Sequence, residues 1–163
     1  MKKGEMLDKM LVIATNAHAG QFDKGGAPYI LHPLKVMQYL KTDDEELQCI
    51  ALGHDLIEDT SVTYEDLHEA GFSYRVQSAI RILTKQPGQT FEEYKKLIFT
   101  SHDAMLVKLC DLRHNSDIRR LKSVTEKDIQ RIAKYQKFYL EILSNLDVVN
   151  TSNAWWFHVW RPM

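Results

Sequence analysis

Apolar positions recur every three to four residues along most of this chain. Between about Glu5 and Ala19, Met6, Met10, Ile13, Ala14 and Ala17 share one helical face, and Leu7 and Leu11 widen it. Gly20 permits a turn, and Gly25-Gly26-Ala27-Pro28 marks a loop. A second helix is expected from near Pro33, since proline suits a first turn, with Leu34, Val36, Met37 and Leu40 as its apolar residues. Thr42 followed by Glu45 is a capping-box pattern for a third helix. Its apolar run, Cys49 to Leu52, leads into Gly53-His54-Asp55-Leu56-Ile57-Glu58-Asp59, and Thr60 to Thr63 break it.

Thr63 with Asp66 predicts a short helix ending near Gly71, and Ser73 to Leu83 reads as another. Lys85 to Gln89, with Pro87 and Gly88, is a loop. Thr90 and Glu93 open a helix through Phe99. Asp103 can cap a long helix that carries Met105-Leu106-Val107 and runs past Asn115. Thr125 with Asp128 opens the last long helix, with Ile129, Ile132, Tyr139, Ile142 and Leu146 on one face. No stretch of useful length alternates apolar and polar as a half-buried strand does. The pattern predicts an all-α bundle of roughly seven or eight helices over residues 1–147. Residues 148–163 form a separate tail holding Trp155, Trp156 and Trp160, expected to dock on the domain or a neighbouring copy, or to act as a lid.

Composition narrows the functional classes. At 163 residues the chain can bury one core without disulfide staples. A net charge of −1 gives no global basic footprint, which argues against a nucleic-acid partner. Asp8 and Lys9 interrupt any signal-peptide core, and no window is apolar enough to span a bilayer. Cys49 and Cys110 sit in apolar runs, as buried thiols of a reducing compartment do, so a cytoplasmic location without a membrane partner is expected. The tail leaves room for a homo-oligomer.

The densest chemistry is His54-Asp55 with Glu58-Asp59. On a helix, three- and four-residue spacings crowd these groups on one side, where their negative charges repel one another. A divalent cation reverses the sign of that cost. His32, at a loop-to-helix junction, and Asp111, at the end of the run Met105 to Cys110, could join them. Two imidazoles and two carboxylates suit Mn²⁺, Fe²⁺, Zn²⁺ or a similar first-row ion better than Ca²⁺. Each residue also has a plainer reading. His32 could be a capping or core histidine, Asp111 could pair with Arg113 or Lys108, and Glu58 and Asp59 could form a solvated acidic helix end.

Four collinear motifs carry a resemblance. They are Ala17-His18-Ala19-Gly20-Gln21, Lys24 to Pro33, His54 to Thr60, and Val107 to Asp111 with His114-Asn115. Together they resemble the HD superfamily of metal-dependent phosphohydrolases, and within it the hydrolase domain of RelA/SpoT-type alarmone enzymes of the stringent response. The resemblance runs from about Leu7 to Leu121. It implies an all-α HD-domain fold, one Mn²⁺, and removal of the 3′-pyrophosphate from guanosine tetra- or pentaphosphate. Carried over, it makes His32, His54, Asp55 and Asp111 the metal ligands. Glu58 and Asp59 would act on the attacking water and leaving group, with Asn115 and Lys24 on the nucleotide. His18 and Gln21 are read as structural. Two alternatives stay open: an HD-type nucleotidase acting on (deoxy)nucleoside monophosphates, and a non-catalytic nucleotide-binding module.

The chain departs from that family pattern in its charges. Asp23 stands where the long enzymes usually carry an arginine beside the lysine, and Ser116-Asp117-Ile118 replaces their usual Met-Arg-Thr. Two cations near the nucleotide become acidic, which disfavours a highly phosphorylated anion. Arg113, Arg119, Arg120 and Lys122 are the cations at hand to compensate from the same helix.

Overall fold

The computed structural model of the protein describes residues 2–150, the last four by backbone alone. Most of the Trp-rich tail therefore lies outside the described residues. The described chain holds nine α-helices: α1 (Glu5–Ala17), α2 (Leu31–Leu40), α3 (Glu45–Gly53), α4 (Leu56–Asp59), α5 (Tyr64–Glu69), α6 (Tyr74–Leu83), α7 (Phe91–Ile98), α8 (His102–Asn115) and α9 (Glu126–Asn150). A 3-10 turn, Ile118–Arg120, joins α8 to α9. The only pairing of strand type among the described residues is an isolated antiparallel bridge between Phe22 and Pro28. The all-α class expected from the periodicity is correct.

Two helices form the centre. α3 packs on α1, α2, α6 and α8, and α8 packs on α2, α3, α6, α7 and α9. A helix surrounded on all sides is apolar all round, which explains why both carry continuous apolar runs rather than stripes. Cys49, Ile50, Ala51 and Leu52 are fully buried on α3; Val107, Leu109, Cys110 and Leu112 are buried on α8. Each large aliphatic side chain taken fully out of water there contributes about 1.5–3 kcal/mol. Gly53, the last residue of α3, is closely packed: a Cβ at that position would lie 2.7 Å from Ile80 Cδ1 and 3.2 Å from Met10 Sδ.

Two helix starts differ from the sequence pattern. Asp44, not Thr42, caps α3, accepting from the amides of Glu46 and Leu47. Glu45 reaches instead to the start of α1, where its carboxylate accepts from the amides of Gly4, Met6 and Leu7 at 2.9–3.0 Å. Those amides have no partner within their own helix, so an anion there is favoured twice, by hydrogen bonds and by the helix dipole. Ser101, not Asp103, caps α8, because Asp103 is drawn to Arg75 in a paired contact of 2.7 and 2.9 Å. The capping boxes expected at Thr63/Asp66 and Thr90/Glu93 form as read.

A candidate metal centre and its cleft

The expected single helix through His54 and Asp55 is broken. α3 stops at Gly53, His54 and Asp55 form a turn, and α4 restarts for four residues. The break sends His54 into the core at 3% exposure and leaves Glu58 and Asp59 at the surface. His32 lies in the first turn of α2, which packs on both α3 and α8, and Asp111 lies inside α8.

Four of the expected residues meet. His32 Nε2 is 3.3 Å from Asp55 Oδ2 and 3.2 Å from Asp111 Oδ1. His54 Nε2 is 3.1 Å from Asp55 Oδ2 and 3.8 Å from Asp111 Oδ1. The plainer reading of Asp111 holds as well, because its second oxygen pairs with Lys108 Nζ at 2.7 Å. One carboxylate thus faces both a half-buried lysine and the histidines. Lys108 and the imidazoles hold its carboxyl well below the usual range against the cost of burial.

The orientation of both rings is set from behind. His54 Nδ1 donates to the Ala51 carbonyl at 2.7 Å, which turns Nε2 toward the carboxylates. That Nε2 is buried and makes no hydrogen bond. Burial opposes charging the ring, but Asp55 and Asp111 push its pKa up to about 10. A positive charge belongs between these groups, and a proton and a divalent ion compete for the same lone pair. His32 Nδ1 contacts His114 Nδ1 at 2.6 Å with the rings stacked. Burial, Arg120 and His32 lower the His114 pKa to about 4, so His114 is neutral and can accept a proton bond from His32. Two imidazole nitrogens with carboxylates beside them, one nitrogen left without a partner, fit a divalent ion. Hydrogen bonds behind the ligands hold such sets in place.

The remaining expected residues sit around this floor. Asp59 Oδ2 accepts from the Tyr29 hydroxyl at 2.9 Å, and the same hydroxyl lies 2.8 Å from Asp55 Oδ2. Burial and these two carboxylates drive the Tyr29 pKa far above its ordinary value, so the phenol stays a donor. Glu58 is not joined to the cluster; its exposed carboxylate accepts from the Lys85 amide at 3.1 Å. Asn115 donates to Asp111 Oδ1 at 2.5 Å. His32, Lys24, Asn115, Tyr29, Arg120 and Tyr135 all line one cleft of about 270 Å³, a volume suited to part of a nucleotide. His18 bonds Gln21 and packs on Tyr29, and Gln21 donates to the Asp59 carbonyl, which fits the structural role expected of both.

Sequence reasoning assigned no role to Tyr29 and His114, although both stand inside the quoted motifs. Arg120 was counted among four cations on the helix of Asn115. It lies instead on the 3-10 turn, because Asp117 caps that turn through the Arg119 amide and ends the α-helical run. The two acidic departures are not bare charges. Asp23 pairs with Arg120 at 2.9 Å and Asp117 with Arg119 at 2.7 Å.

Fold and floor define a helical domain in which His32, His54 and Asp55 bring ligand atoms within 4.8 Å of one another, close enough to hold a metal ion. No family model matches the sequence. The relatives are more specific. The chain is 34% identical over 157 residues to the guanosine-3′,5′-bis(diphosphate) 3′-pyrophosphohydrolase of Haemophilus influenzae, covering 87% of this chain and 23% of that protein. It is 34% identical over 154 residues to the bifunctional (p)ppGpp synthase/hydrolase SpoT of Escherichia coli, covering 86% of this chain and 21% of the relative. A 3′-pyrophosphohydrolase of Aquifex aeolicus matches 91% of the chain at 33% identity. Its homologues are thus (p)ppGpp 3′-pyrophosphohydrolases and SpoT, and the chain spans roughly a fifth to a quarter of the length of the two proteins named first. A solved structure, described as a metazoan ortholog of SpoT that hydrolyzes ppGpp and plays a role in starvation responses, shares the fold. Its TM-score is 0.72 at 23% identity, over 94% of this chain and 98% of that one.

Proposed function

We propose that this chain is a metal-dependent phosphohydrolase that removes the 3′-pyrophosphate of guanosine 3′,5′-bis(diphosphate) or a related 3′-phosphorylated nucleotide. One observation carries the reading: His32, His54, Asp55 and Asp111 converge on a buried point beside a cleft lined by Lys24, Asn115 and Arg120. The names of the relatives support the substrate class.

His32, His54, Asp55 and Asp111 would hold the ion, with Mn²⁺ as the choice that suits mixed imidazole and carboxylate ligands. When bound, such an ion supplies positive charge that polarises a phosphoryl group and makes a nearby water more acidic. Lys24 and Asn115 bind the nucleotide. Glu58 and Asp59 serve the two proton transfers, from the attacking water and to the departing 3′ oxygen. Asp59 is already fixed by Tyr29; Glu58 comes into play by leaving one exposed hydrogen bond, that to the Lys85 amide. Water adds at the phosphorus next to the ribose, the bond to the 3′ oxygen breaks, that oxygen takes a proton, and pyrophosphate leaves with guanosine 5′-diphosphate. Residues 1–147 carry this chemistry and 148–163 are an appendage to it. The two buried thiols fit a cytoplasmic enzyme, and no described helix is long and apolar enough to cross a membrane.

Product analysis tests the proposal. The purified protein with Mn²⁺ and guanosine 3′,5′-bis(diphosphate), beside a panel of 5′- and 3′-nucleotides, should yield pyrophosphate and guanosine 5′-diphosphate. Orthophosphate released from a monophosphate would move it to the nucleotidases, and binding without turnover would make it a non-catalytic module.

A further inference from the structure

Charge in the cleft is arranged in pairs. Its walls hold three cations, Lys24, Arg120 and Arg131, and two carboxylates, Asp23 and Asp117. Arg120 Nη2 donates to Asp23 Oδ2 at 2.9 Å, and Arg131 pairs with Asp128 at 2.9 Å. Lys24 forms no salt bridge with any described residue and meets Asp128 only at longer range. Arg120 is also held from its other side, since Nη1 donates to the His114 carbonyl at 2.9 Å and to Asn115 Oδ1 at 3.3 Å.

Asp23 does two separate things with its two oxygens. Oδ1 accepts from the amides of Gly25 and Ala27, both at 2.9 Å, and so shapes the loop. Oδ2 is given to Arg120, 97 residues away in the chain. Loop and 3-10 turn touch backbone to backbone here: a Cβ on Gly25 would lie 2.0 Å from the Arg120 carbonyl oxygen. An arginine with a carboxylate at 2.9 Å presents a dipole to a ligand rather than a full charge, and a phosphate must compete with an acceptor that is already in place.

Building on the phosphohydrolase reading, we infer that Asp23 is a specificity-determining residue: by holding Arg120 it limits the phosphate charge the cleft accepts. The cleft favours a 3′-pyrophosphorylated nucleotide with a short 5′-phosphate chain and gains nothing from a longer one. The acidic residue at position 23 and the arginine at position 120 act as one unit, tuned to a less highly charged ligand.

Asp23→Asn separates the two tasks, because the amide oxygen can still accept from Gly25 and Ala27 while the charge on Arg120 is released. Calorimetry would give dissociation constants for guanosine 3′-diphosphates bearing one, two or three 5′ phosphates. The full chain would be loaded with Mn²⁺ and carry Asp59→Asn to stop turnover. With Asp23 present, the longest chain should bind no tighter than the shortest. With Asp23→Asn, each added 5′ phosphate should tighten binding about threefold to tenfold. Arg120→Gln should act oppositely, weakening the longest nucleotide most. The readout is the ordering within the series, so a loosened loop that weakens all three alike counts against the inference. A series unchanged in its ratios by Asp23→Asn overturns the inference and leaves the phosphohydrolase reading standing, since the nucleotides bind. Failure of all three to bind the chain with or without Asp23→Asn overturns that reading, and the inference with it.

Discussion

The floor of the cleft and its rim are built differently. The floor residues His32, His54 and Asp111 are at most 4% exposed and lie on, or directly after, helices packed in the core. The rim is carried by the loop around Asp23 and Lys24 and by the 3-10 turn; Lys24 and Arg119 are exposed, and Arg120 is half-buried. The floor residues are among those on which the resemblance to the alarmone hydrolase domain rests, whereas Asp23 and Asp117, the departures from that pattern, fall on the rim. A group fixed by core packing cannot change without disturbing the fold, while a loop can exchange charges in compensating pairs.

The comparison can be broken most severely at Asp111. Asp111→Ala leaves the half-buried Lys108 without its carboxylate and takes the same buried carboxylate from both histidines. It should destabilise the fold by about 3–5 kcal/mol and abolish metal binding, read by denaturant unfolding and metal titration. Full activity of this variant in metal-free buffer would sink the mechanism.

The boundary between floor and rim is next. Asp59→Asn and Glu58→Gln should each lower kcat by about 10² to 10⁴ while metal still binds. Equal loss of metal affinity would place them in the floor instead. His114→Phe keeps a ring against His32 but removes the partner of His32 Nδ1. Metal affinity should weaken by about 10- to 100-fold, and a titration showing no change would deny His114 its orienting part.

The rim should show the smallest effect on stability. Burial raises the Asp23 carboxyl, but Arg120 and the loop amides outweigh it, so the group titrates below its ordinary 3.8 when folded. Its contribution, at most about 1 kcal/mol, is complete above the unfolded value and disappears as pH falls through the lower folded one. The gap in Tm between wild type and Asp23→Asn should therefore be open at pH 6 and shrink as pH falls below 3.8 through the lower folded value. A gap that widens on acidification would contradict the pairing.

Much of this was legible in the chain. Periodicity located every helix from α1 to α9 except α4, which the break at His54 splits from α3. The expectation that His32, His54, Asp55 and Asp111 gather was also legible, and the structure brings their side chains within 3.1–3.8 Å of a histidine or carboxylate of the set. Capping boxes at Thr63 and Thr90 were correct because both partners lie within one turn. What failed were choices between neighbours that a distant partner decides. Glu45 abandoned its own helix for the amides of α1, and Asp103 went to Arg75.

By itself, then, the sequence determined the helices, the two apolar helices at the centre and the chemical types gathered for the site. These follow from spacings of three or four residues, where geometry is fixed by the backbone alone. Tertiary structure decided that Tyr29 bridges Asp55 and Asp59, that His114 backs His32, and that Asp23 holds Arg120. Each of those contacts joins residues far apart in the chain. Its distance and direction depend on how whole helices pack, which no local pattern encodes.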